Sequence, residues 1–213
     1  MQITDDHVEW AVVSRLQKML TAPPHLEFNV THTYALFVPI LCWTMQRIRK
    51  KPETEVDNLA AGVLKKLQGQ KVEDSPWNIA TDRSEIIQMT KASVPSVGPF
   101  DAFRNMSVDR FVINLRNAVA HGDGRRVRPF HQSVAARAEH ELVGFSFDCE
   151  ETTGSGKAKK VEWSGTITLL EPEMRRIGIA LAETFCKALR HGEHRHDSSF
   201  GHDAAHGVIE RAA

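Results

Sequence analysis

Arg116, Asn117 and His121 carry the clearest chemistry in the chain, within the run Leu115-Arg116-Asn117-Ala118-Val119-Ala120-His121-Gly122. Arginine is a permanent cation whose planar fork of donors matches phosphate oxygens. An asparagine amide both donates and accepts, and histidine is the residue type that titrates near neutrality. Together they form a kit, free of metal and cofactor, for gripping a phosphate and moving a proton beside it. The preceding Phe111-Val112-Ile113-Asn114 is apolar enough to hold the run on a packed helix, and Gly122 suits the position just past its end.

A helical wheel tests the spacing. At about 100° per residue, with Arg116 at the origin, Asn117 falls near 100° and His121 near 140°. Val108, Val112, Leu115 and Val119, with Phe111 and Ala118 at the margins, fill the opposite arc and form the expected buried stripe. Asn117 and His121 are i and i+4 neighbours. Arg116 and His121 lie roughly 7.5 Å apart along the axis, within reach of a long arginine but not stacked. One copy makes half a pocket, and two copies across a two-fold axis would make a fuller one. A plainer reading uses the same residues: a cationic histidine at a helix C-terminus is favoured by the macrodipole, and Arg116 would be a surface residue.

Arg116-Asn117-x-x-x-His121 at a helix end, followed by Gly122, resembles the signature of the HEPN superfamily, an R-x4-6-H motif often with Asn directly after the Arg. The resemblance extends to the order of elements over residues 4–190. It implies a small helical domain, typically dimeric, and a metal-independent ribonuclease of toxin–antitoxin or phage-defence type. RNA would be the substrate, and an antitoxin or other defence protein a possible partner. Members paired with a minimal nucleotidyltransferase antitoxin carry Tyr two positions after the His. Here that position is Asp123, a departure that speaks against such a partner.

The rest of the chain must position this run. Its 213 residues, 41% hydrophobic and 25% charged, suit one soluble globular domain. The formal net charge is zero, so any nucleic-acid contact must come from a local patch. Arg125, Arg126 and Arg128, just after the motif, are the candidates for gripping flanking phosphates, with a solvated turn as the alternative. Cys42, Cys149 and Cys186 are widely spaced and odd in number, which suggests reduced thiols in a cytoplasmic protein. No signal core opens the chain, and its longest apolar stretch, from Tyr34 to Met45, is too short to span a bilayer and contains Pro39.

Apolar periodicity predicts helices from about Thr4 to Pro23, Asn29 to Arg49, Glu53 to Gln68, Asp82 to Lys91 and Val108 to Ala120. Then the period changes. Val143, Phe145, Phe147 and Cys149, and later Val161, Trp163, Ile167 and Leu169, alternate with polar residues as two half-buried strands of a hairpin. A last helix opens at Pro172. The expected fold is therefore mainly α: a helical bundle over residues 1–190 with a β-hairpin, about 142–169, before the C-terminal helix. Residues 191–213 carry His191, His194, His196, His202 and His206 among small polar residues, and read as a solvated tail rather than a metal site.

The chain has no G-x-S-x-G, P-loop or dinucleotide fingerprint. His131 is a further possible proton carrier close in sequence. The sequence thus points to an endoribonuclease using Arg116, Asn117 and His121. The alternative is a non-catalytic module of the same kind that binds RNA, a nucleotide or a protein.

Overall fold

A computed structural model of the chain describes residues 8–23, 28–49, 62, 67, 69–89, 103–121, 126–134, 139–153 and 160–193. The elements are α1 (Val8–Thr21), α2 (Asn29–Arg49), β1 (Glu85–Met89), α3 (Val108–His121), β2 (Val127–Val134), β3 (Glu139–Thr153), β4 (Lys160–Leu170) and α4 (Glu171–Glu193). The strands form one antiparallel sheet in the order β1-β4-β3-β2.

This is a mixed α/β fold, and the mainly α expectation is corrected. The hairpin of β3 and β4 is the centre of a four-stranded sheet rather than an appendage to a bundle. Two strands account for the difference. Glu85-Ile86-Ile87-Gln88-Met89, which the periodicity places in a short helix, pairs instead with β4 through Glu85↔Thr166 and Met89↔Trp163. A five-residue run has no readable period, and two adjacent β-branched isoleucines favour the strand once a partner is present. Arg128, expected in a loop or solvated turn with Arg125 and Arg126, lies instead within strand β2, Val127-Arg-Pro-Phe-His-Gln-Ser-Val, with Val127↔Phe147 and Phe130↔Gly144. Its Pro129 lacks an N–H, which a strand tolerates at a sheet edge, and β2 is an edge. The expected helix of 53–68 falls almost wholly outside the described residues, as does the tail beyond residue 193.

The inner face of the sheet carries Phe147, Cys149, Trp163, Ile167 and Leu169, all buried. Helix α3 lies on that face, with Phe111, Val112, Leu115 and Ala118 buried, and α2 packs against both α3 and β3. Tyr34 of α2 stacks on Phe145 of β3 at 4.2 Å between ring centroids. Helices α1, α2 and α4 pack together beside this layer. A Cβ at Gly178 of α4 would come within 2.8 Å of Leu20 Cδ1 and 3.4 Å of Phe37 Cδ2, so the small residue allows the three helices to close. In α1 the buried residues are Trp10, Ala11, Val13 and Leu20, while Val8 and Met19 are exposed. Apolar residues occupy most of that helix's circumference, so its neighbours choose the face.

The joint between β4 and α4 is polar and buried. Glu173 sits in the first turn of α4 and is 4% exposed. Its carboxylate accepts the Leu170 N–H and the Ala80 N–H, each at 2.8 Å, and both oxygens take Arg83 Nη2 at 2.7 Å. The Leu170 contact is the return half of a capping box. Arg175 pairs with Glu171 at 2.7 Å and donates to the carbonyls of Leu20 and Ala22, which satisfies the end of α1.

Two substitutions test this architecture. A Cβ at Gly144 would stand 2.1 Å from the Leu169 carbonyl oxygen, where nothing flexible can yield. Gly144→Ala should therefore cost about 3 kcal/mol, at the upper end for overpacking. Glu173→Ala should cost a similar ~3 kcal/mol, because it strands Arg83 and two backbone donors. Urea unfolding at neutral pH measures both, and a loss below ~0.5 kcal/mol in either would show that the joint is not built as described.

Candidate active site at the end of the motif helix

Helix α3 ends at His121, where the sequence places its motif. Asn117 and His121 follow from the i, i+4 geometry. Arg116 sits at the edge of the buried stripe, and its side chain reaches towards the C-terminal end of the helix. Its Nη1 lies 3.2 Å from His121 Nε2 and 3.3 Å from Asn117 Oδ1. The three predicted residues thus meet within one chain. Half-buried Arg116 and Asn117 fix one side of the cluster, and exposed His121 faces outward. The wheel left Arg116 and His121 on different sides and called on a second copy to complete the pocket. The arginine's length brings its far end to His121 within one chain.

The guanidinium is only partly satisfied. Arg116 Nε is buried and has no hydrogen-bond partner among the described residues. Such a donor costs about 1–3 kcal/mol. Cys42 of α2 lies close enough for the Arg116 charge to act on it. Burial pushes the Cys42 thiol up, and Arg116 pulls in the other direction, with a net rise. All three cysteines are free thiols.

The arginines proposed for RNA contact are placed elsewhere. Arg125 lies outside the described residues. Arg128 pairs with Asp148 at 2.8 Å, and Asp148 also accepts from Thr166 Oγ1 at 2.9 Å. Arg126 lies 3.9 Å from Glu150. Strand alternation puts Asp148 and Glu150 on the outer face, opposite Phe147, Cys149 and α3. The two arginines therefore join a polar ladder on the far side of the sheet. His131, the other candidate proton carrier, is exposed on edge strand β2 and pairs with Leu142 across the ladder. Neither is brought into the cluster by a hydrogen bond or ion pair among the described residues.

A second polar cluster, not anticipated from the sequence, anchors the motif helix. Glu151 of β3 accepts Arg110 Nε at 2.7 Å, Arg110 Nη2 at 2.5 Å and Asn114 Nδ2 at 2.8 Å. The Arg110 guanidinium also lies 5.3 Å from the centre of the Trp163 ring. Asn114, read in the sequence as part of an apolar run, is fully buried as the hinge of this junction. The signal was present: Arg110, Asn114, Asn117 and His121 recur at helical spacing and fall within about 60° on the wheel. One polar stripe thus runs from the sheet junction to the motif. Burial pushes the Glu151 carboxyl up, but the Arg110 and Asn114 hydrogen bonds and the Arg110 charge more than reverse this and hold it below the usual carboxylate range.

Compared with models of known protein families, with curated proteins and with solved structures, the chain matches none. The resemblance carried by the motif therefore stands on the residues themselves. Among the described residues, no helix is long and apolar enough to cross a membrane.

A lowered carboxylate pKa stabilises the folded state above the unfolded value, and that contribution is lost as pH falls through the folded value. The stability gap between the wild-type protein and Glu151→Gln should therefore be widest above about pH 5 and should shrink towards about pH 3. Urea midpoints across that range test the assignment, and a gap that grows on acidification would refute it.

Proposed function

We propose that the protein is a metal-independent endoribonuclease of HEPN type with a toxin or phage-defence role. The observation that carries this reading is the junction of Arg116 Nη1 with His121 Nε2 at 3.2 Å and Asn117 Oδ1 at 3.3 Å, at the outward end of α3. A permanent cation, an amide and an imidazole at one surface point can hold a phosphodiester and move a proton next to it. His121 takes the proton of the ribose 2′-hydroxyl as that oxygen bonds to phosphorus. Arg116 neutralises the charge growing on the phosphoryl oxygens. The bond from phosphorus to O5′ breaks with its electron pair on O5′, which takes a proton from water. The products are a 2′,3′-cyclic phosphate and a 5′-hydroxyl. Asn117 holds Arg116 in line.

The neutral ion pairs of Arg126 and Arg128 shift the expected grip on RNA towards the motif itself, with those two arginines available only when Asp148 and Glu150 release them. A homodimer and a cytoplasmic setting complete the proposal. The dimer rests on the family resemblance, since Arg116 reaches His121 without a second copy.

Purified protein incubated with RNA in EDTA tests the reading directly. Cleavage should persist, leave 2′,3′-cyclic phosphate ends, and spare DNA, which lacks the attacking hydroxyl. His121→Ala should lose roughly 10²–10⁴-fold in rate. Arg116→Ala should be similarly severe, and Arg116→Lys should recover little because lysine lacks the planar fork. Both variants should melt like the wild-type protein, because His121 is exposed and Arg116 half-buried. A magnesium requirement, 3′-hydroxyl ends or an unaltered rate in His121→Ala would overturn the assignment. Light scattering should give about twice the 23.9 kDa chain mass.

A further inference from the structure

The contact between Arg116 and His121 fixes the state in which the imidazole waits. A guanidinium has donors only and keeps its proton at any ordinary pH. At 3.2 Å from Arg116 Nη1, His121 Nε2 can take part in a hydrogen bond only as the acceptor. Nε2 is then the bare nitrogen, and the proton of the neutral ring sits on Nδ1. The lone pair that would serve as a general base is thus covered by the residue that would bind the phosphate.

The donor arrangement of Arg116 ties the two roles together. The two N–H groups of Nη1 are directed to Asn117 Oδ1 and His121 Nε2. Nε, which would form the side fork with Nη2, is buried and lacks a partner. That fork is closed to an outside anion. The remaining route to a two-point grip on a phosphate is the end fork of Nη1 and Nη2. Using it takes Nη1 away from His121.

We propose that Arg116 masks His121 in the free protein, and that a phosphate oxyanion seated on the Nη1/Nη2 fork of Arg116 draws the guanidinium off and bares Nε2. The proposal rests on the reading above for the anion, which is then an RNA phosphodiester. The base becomes available only when a phosphate is in place beside it, so proton transfer is coupled to occupancy. Movement of the guanidinium also frees Nε from its unpaired burial.

Nitrogen-15 NMR of the full-length protein reads the ring directly, with His121 assigned by the signals lost in His121→Gln. Above the histidine titration range, the free protein should show a bare Nε2 and a protonated Nδ1. In Arg116→Ala, whose folding is checked by its backbone spectrum, this bias should be lost. Inorganic phosphate, and separately a 2′-O-methyl oligonucleotide that cannot be cleaved, should shift the Nε2 signal away from its hydrogen-bonded position, towards that of a free unprotonated nitrogen, in the wild-type protein but not in Arg116→Ala. A response to the oligonucleotide at far lower concentration than to phosphate identifies the diester of a strand as the natural anion. The proposal is overturned by a protonated Nε2 in the free protein, by a bare Nε2 that persists in Arg116→Ala, or by an Nε2 signal that neither probe moves. RNA cleavage is scored separately. A masked ring that responds to phosphate in a protein that cuts no RNA would defeat the nuclease reading and leave this inference standing. Cleavage by a protein whose Nε2 is protonated at rest would do the reverse.

Discussion

The Glu151 carboxylate governs how the motif helix sits. It stands on the inner face of β3 against α3, and three donors from Arg110 and Asn114 converge on it. An apolar stripe alone would let the helix slide or turn, since dispersion is non-directional. Hydrogen bonds to a half-buried carboxylate are directional and costly to leave unmade. They fix both the rotation and the axial register of α3. Everything beyond Asn114 on that helix inherits the setting, including which way Asn117 and His121 face. Phe111, Leu115 and Ala118 then complete the contact with the core.

A similar division of labour appears at the other end of the sheet. Glu173 joins β4, α4 and the segment around Ala80 and Arg83 through one buried carboxylate. Arg175 and Arg176 extend from the same turn to the end of α1 and to the carbonyls of Trp77 and Asn78. Apolar burial supplies the attraction between layers. These charged joints choose among the arrangements that burial would accept. The cost of stranding a buried charge gives them that selectivity, whatever their net contribution to stability.

The candidate site differs from both joints in being deliberately incomplete. Glu151 and Glu173 are met by matching donors, whereas Arg116 spends Nη1 on an amide and an imidazole and, among the described residues, leaves Nε without a partner. No carboxylate among the described residues forms an ion pair with it. Arg110, Arg126, Arg128 and Arg175 each have one. Contact with an imidazole at a helix end is the feature that sets Arg116 apart from these arginines.

The sequence by itself determined the helix that carries Arg116, Asn117 and His121, the i, i+4 relation of the last two, the central hairpin and the long helices α2 and α4. Each rests on local periodicity or on a local terminator, which a chain displays without its neighbours. Tertiary structure alone decided four things. It made Glu85–Met89 and Val127–Val134 strands, because a short run takes the conformation its pairing partner offers. It selected the buried face of α1, whose apolar residues nearly encircle it. It gave Arg126 and Arg128 to carboxylates on the outer face, which became their place only once β2 joined the sheet. It also carried the Arg116 side chain round to His121: the wheel fixes where a Cβ points, but the far end of an arginine goes where hydrogen bonds and burial direct it.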